Sequence, residues 1–132
     1  MLRSRVFKRK LHHENIVAAI RHAEGKTTGE IRVIVSPRHV TDAVAAAQKE
    51  FIRLGMDKSA GRNGVMIFVA PRARKFAVIG DDAVHAKCGD EFWQKLAESM
   101  SGYFRKGEFS EGIGHGVAKA GELLAEHFPR RA

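Results

Sequence analysis

The chain has 132 residues, 44% of them hydrophobic and 29% charged, a length and balance that exclude both a disordered chain and two independent cores. Lys and Arg number 23 against 15 Asp and Glu, a formal charge of +8 that favours anionic partners without naming one. A lone cysteine, Cys88, excludes an internal disulfide and a cysteine-rich zinc module and fits a reducing compartment, so a cytoplasmic location is expected.

Residues 1–11 form a basic arm with no apolar stretch behind it, which is not the pattern of a secretory signal. The arm suits peripheral contact with an anionic membrane surface, although Phe7 and scattered Val and Leu offer little area for insertion. No run is long enough for a transmembrane helix; the longest, Val65 to Ala70, has the length of a buried strand. One domain is expected over residues 12–128.

Ile16, Val17, Ile20 and Ala23 recur at helical spacing and predict a helix from His13 to Ala23. Glu30 to Ser36 is rich in β-branched residues and bounded by Gly29 and Pro37, the pattern of a strand; Ile34, opposite Ile31, Val33 and Val35, predicts cover on both faces and an inner position. Thr41 is expected to cap a helix through Leu54, with Val44, Ala47, Phe51 and Leu54 on its apolar face and Gly55 as its stop.

Val65 to Ala70 then completes a βαβ unit, which requires parallel strands and a right-handed crossover. Lys75 to Gly80 follows the Pro71-Arg-Ala-Arg74 turn too soon for a parallel return and must pair antiparallel. Helices are predicted over Asp90 to Phe104 and Ser110 to Glu126, broken at Lys106-Gly107. The resulting fold class is α/β: a three-layer α/β/α sandwich whose small mixed sheet is flanked by about four helices.

These strand directions sort the polar loop residues onto two ends of the sheet. Arg38, His39, Arg72 and Arg74 gather at one end beside the expected helix N-terminus and form an anion-binding set. Glu30, Asn63, Asp81 and Asp82 gather at the other with Arg62. These four oxygen donors are the candidate ligands of a hard cation, Ca²⁺ or Mg²⁺, and Asp81, Asp82 and Arg62 are the candidate catalytic residues if such a cation polarises a phosphoryl oxygen. The alternative role for Asp and Asn here is ordinary turn chemistry, and Arg62 would then pair with Glu30 or Asp81.

Other motifs carry less. His85-Ala-Lys-Cys88 has no second ligand pair for zinc. Gly112-Ile-Gly-His-Gly116 follows a polar turn instead of a strand, which points to close helix packing and not to a phosphate loop. No arginine stands where it would clamp a phosphate beside Cys88 as nucleophile. Nucleic-acid binding has only charge and Phe7 behind it.

The succession Thr28-Gly-Glu-Ile-Arg-Val-Ile-Val35, Arg62-Asn-Gly-Val-Met-Ile-Phe-Val-Ala70, Phe76-Ala-Val-Ile-Gly-Asp81, Phe104-Arg-Lys-Gly-Glu-Phe109 and Glu111-Gly-Ile-Gly-His-Gly-Val117 resembles the TPM domain family over about residues 12–128. The resemblance implies an α/β/α sandwich, and it carries an association with divalent metal and, for a thylakoid-lumen member of photosystem II repair, acid phosphatase activity. A common family pattern has Asp immediately before Asn-Gly, where this chain has Arg62, so a cation replaces an expected oxygen ligand. Many relatives are exported and membrane-tethered, a property for which this chain shows no signal or anchor.

Two functions are therefore expected to compete. One is a non-catalytic accessory module that binds an acidic protein or other anionic partner through the basic end, with at most weak divalent-metal binding at the other. The alternative is a metal-assisted phosphomonoesterase acting on a small phosphorylated substrate, for which the sequence names no nucleophile or activated water.

Overall fold

A computed structural model describes residues 13–130; the basic arm lies outside the described residues. Helix α1 (His13–Glu24) leads into strand β1 (Glu30–Val35), helix α2 (Ala43–Arg53), a 3₁₀ turn (Met56–Lys58) and strand β2 (Gly64–Ala70). A second 3₁₀ turn (Pro71–Ala73) leads into strand β3 (Lys75–Gly80), and helices α3 (Asp82–Arg105) and α4 (Phe109–His127) complete the order. No helix among the described residues is long and apolar enough to cross a membrane.

The strands lie in the order β1-β2-β3, with β1 and β2 parallel and β2 and β3 antiparallel. All seven residues of β2 are buried because its side chains are covered on both faces. Ile31, Val65, Ile67 and Val69 meet Ile16 and Ala23 of α1, Val84, Trp93, Leu96 and Met100 of α3, and Ile113, Val117, Ala120 and Leu124 of α4. On the other face Met66, Phe68, Ala70 and Ala77 meet Ala43, Ala47 and Phe51 of α2 and Met56 of the following turn. Among the described residues, two unequal layers of helices thus enclose the sheet, three on one side and one on the other.

Four expectations need correction. Strand β1 is covered on both faces, since Ile34 packs with the α2 cluster, but it is an edge strand and β2 the inner one. Periodicity cannot separate these cases, because cover on the faces and pairing at the edges are independent. The α2 N-cap is Asp42, whose Oδ1 accepts from Ala45 N–H at 3.1 Å, instead of Thr41. Val44 is 49% exposed, so α2 packs through Ala43, Ala47 and Phe51, one position round from the expected stripe.

Finally, α3 begins at Asp82 and not at Asp90; Gly89, at φ 71°, interrupts it, which is why the apolar period is legible only from Asp90 onward. The Lys106-Gly107 break and the Gly55 stop lie where the sequence puts them, both glycines having positive φ.

Packing also explains the Gly112-Ile-Gly-His-Gly116 motif. A Cβ on Gly112 would stand 2.6 Å from the Phe104 ring, and one on Gly116 would stand 2.8 Å from Met100 Sδ. Both glycines are therefore contact points between α3 and α4, as the absence of a preceding strand suggested.

Candidate functional site

Arg62 has φ 49°, a left-handed conformation that a side chain-bearing residue rarely adopts. Ala83 N–H donates to its carbonyl at 3.1 Å, which ties the loop before β2 to the first turn of α3. From this position the guanidinium reaches Asp81 as a two-pronged pair: Nε donates to Oδ2 and Nη2 to Oδ1, each at 2.9 Å. Nη2 also donates to Asp82 Oδ2 at 3.2 Å.

Asp81 is set by two further bonds. Its backbone N–H continues the β2-β3 ladder by donating to the Gly64 carbonyl at 2.9 Å, and its Oδ1 caps α3 by accepting from Asp82 N–H at 2.7 Å. The Asp81 side chain is 4% exposed, whereas Arg62 is 46% exposed and Asp82 84%. The Arg62 guanidinium holds the Asp81 carboxyl below the usual carboxylate range; burial pushes the other way, and the Asp82 amide and His85 assist the lowering.

The other two candidate ligand residues have bonding partners outside this cluster. Asn63 is buried and its Nδ2 donates to Thr28 Oγ1 at 3.1 Å, joining the loop before β1 to the loop before β2. Glu30 Oε2 accepts from Arg32 Nε at 3.0 Å along its own strand. The structure therefore brings Arg62, Asp81 and Asp82 together and turns Glu30 and Asn63 to different partners. Among the described residues no three His, Cys, Asp or Glu side chains converge as cation ligands.

This donor set does not fit the divalent metal that the resemblance implies. A guanidinium occupies both oxygens of the one buried carboxylate, so a cation would have to displace Arg62 and tolerate its charge nearby.

At the opposite end of the sheet, Ser36 N–H donates to the Val69 carbonyl at 2.8 Å, which brings the loops after β1 and β2 side by side. Arg38, His39, Arg72 and Arg74 are all exposed there, and among the described residues none of the four forms an ion pair. Their charge reaches the neighbouring helix: Arg53, bonded to Glu50 at 2.6 Å, chiefly holds the Glu50 carboxyl low, and Arg38 and Lys49 add to it. The α2 N-terminus, however, already holds the carboxylate of Asp42, so the anion-binding character of this end resides in side chains and not in the helix terminus.

Cys88 is half-buried, and burial with the nearby Glu126 pushes its thiol up, away from a reactive thiolate. Sequence reasoning overlooked Thr27 and Asp57, and it read Trp93 only as part of the apolar face of the Asp90 to Phe104 helix, where the core indeed holds it. Thr27 is fully buried and accepts from Gly29 N–H at 3.0 Å while its hydroxyl faces the Leu124 and Phe128 carbonyls. Asp57 Oδ1 and Trp93 Nε1 are buried without a hydrogen-bond partner among the described residues. No local pattern marks Thr27, because its role depends on a segment distant in the chain.

The layers, the mixed sheet and the paired Asp81 end together define a small α/β/α sandwich domain. Residues 6–123 match the TPM domain, and the chain belongs to that family. The NMR structure of the BA42 protein from the psychrophilic bacterium Bizionia argentinensis is similar, with 36% identity and a TM-score of 0.82 over 89% of this chain and 81% of that one. The solution structure of the N-terminal domain of a P. gingivalis protein shares the fold, with 18% identity and a TM-score of 0.70 over 87% of this chain and 76% of that one. Curated proteins provide no match.

Proposed function

We propose that this TPM-domain chain is a cytoplasmic, non-catalytic interaction module that binds an acidic protein partner through Arg38, His39, Arg72 and Arg74. The observation that carries this reading is the division of labour between the two ends of the sheet. At one end Arg62 is committed to Asp81 and Asp82 at 2.9 and 3.2 Å; at the other, four exposed basic side chains have no acidic partner among the described residues. The paired Asp81 end then serves as a latch between the β2 and β3 loops, and the phosphomonoesterase alternative lacks a free carboxylate pair to hold its cation.

Electrostatic capture of this kind weakens as the Debye length shrinks from about 8 Å at physiological salt to about 3 Å at 1 M. A fluorescent poly-glutamate peptide should therefore bind with steeply salt-dependent anisotropy, and the combined change Arg38→Gln, His39→Gln, Arg72→Gln, Arg74→Gln should reduce binding at least tenfold. Salt-insensitive binding would move the interface elsewhere. In parallel, chelator-treated protein should show no Asp81-dependent thermal stabilisation by Ca²⁺, Mg²⁺, Mn²⁺ or Zn²⁺; a stabilisation abolished by Asp81→Asn would restore the metal-assisted alternative.

A further inference from the structure

Strand β3 has one paired side and one open side among the described residues. In the β2-β3 register, Asp81 stands opposite Gly64 and donates to its carbonyl, so the pairs Ile79/Met66, Ala77/Phe68 and Lys75/Ala70 face inward. The N–H and C=O groups of Phe76, Val78 and Gly80 consequently point to the open edge. A groove of about 630 Å³ runs beside Val78 and Gly80, within the size range of ligand clefts.

One wall of the groove is α2, with Val44, Gln48 and Ile52 one turn apart, and the other is α3, with His85, Asp90, Trp93 and Gln94. Val44 and Ile52 are 49% and 63% exposed and lie on the same wall of the groove. Two buried polar atoms without partners among the described residues, the Asp57 carboxylate oxygen and the Trp93 indole N–H, belong to residues lining this same groove. Its charge is opposite to that of the whole molecule: Asp57, Asp81, Asp82 and Asp90 face a single cation, Arg62, in a chain of net charge +8.

We propose that the open edge of β3 accepts, by strand addition, an extended segment of a partner protein that is apolar at alternate positions and carries Lys or Arg. Main-chain bonds to Val78 and Gly80 supply the register, Val44 and Ile52 receive an apolar side chain, and the exposed Asp82 and Asp90 receive the cation. None of Arg38, His39, Arg72 and Arg74 lines this groove, so it adds a second, oppositely charged docking site.

The test is selection of random dodecapeptides displayed on phage against the full chain, followed by affinity measurement with a synthesised winner. Enriched peptides should combine alternating apolar residues with Lys or Arg. Ile52→Lys and the double change Asp82→Asn, Asp90→Asn should each weaken the winner at least threefold. Because Val78 N–H faces outward, Val78→Pro should abolish binding while sparing the β2 ladder.

A control independent of the protein's folding uses the peptide itself. N-methylation at one set of alternate amides should weaken binding at least tenfold, and at the other set should leave it nearly unchanged. Failure to enrich such peptides, or equal tolerance of both methylated sets, would overturn the proposal. So would a concentration-dependent dimer lost in Val78→Pro, which would assign the edge to a second copy of the chain.

Discussion

At the scale of single residues, Arg62 and Asp81 form a coupled device: a left-handed backbone aims the guanidinium, and the buried carboxylate both receives it and caps α3. Because Asp81 has a lower pKa folded than unfolded, its contribution to stability is present above the unfolded value and lost as the pH falls through the folded one. Thermal midpoints measured down the acid range should show this loss, and Arg62→Ala should move Asp81 titration upward in carboxyl NMR and flatten that part of the profile. Asp81→Ala, which removes the cap, should cost about 1 to 2 kcal/mol in urea denaturation. Arg62 pairing with Asp81 was one of two partners the sequence left open; what it could not show is that Asn63 would turn to Thr28, since that choice depends on loops brought together by the sheet.

Between elements, the contact of α3 with α4 depends on where glycine stands. Adding a methyl group to Gly112 gains helix propensity of about 1 kcal/mol but meets the Phe104 ring at 2.6 Å and Tyr103 Cβ at 3.0 Å, a strain of about 1 to 3 kcal/mol. Gly112→Ala should therefore lower stability on balance. Gly114 has open space around its would-be Cβ, so Gly114→Ala should raise stability by about 0.5 to 1 kcal/mol; opposite signs from two substitutions on one helix, read by denaturant midpoints, would confirm that packing decides. The motif's packing role was legible from its lack of a preceding strand, whereas the difference between its glycines was not, because only the neighbouring helix distinguishes the two positions.

Across the whole molecule, Thr27 closes the chain on itself. Its hydroxyl joins the loop before β1 to the end of α4, beside the Thr27-Pro129 bridge and the bond from Thr28 N–H to the Phe128 carbonyl. Thr27→Val keeps the shape and leaves the buried Gly29 N–H unpaired, so it should cost about 1 to 3 kcal/mol and increase amide exchange at both ends of the domain. The sequence by itself determined the kinds of element, the parallel and antiparallel pairings, the charge imbalance and the family resemblance, because these follow from periodicity, connection length, composition and ordered motifs. Tertiary structure alone decided that β1 lies at an edge, that Arg62 takes both carboxylates, and that an acidic groove borders β3. Each of those outcomes depends on residues far apart in the chain sharing one place, and local pattern carries no record of that meeting.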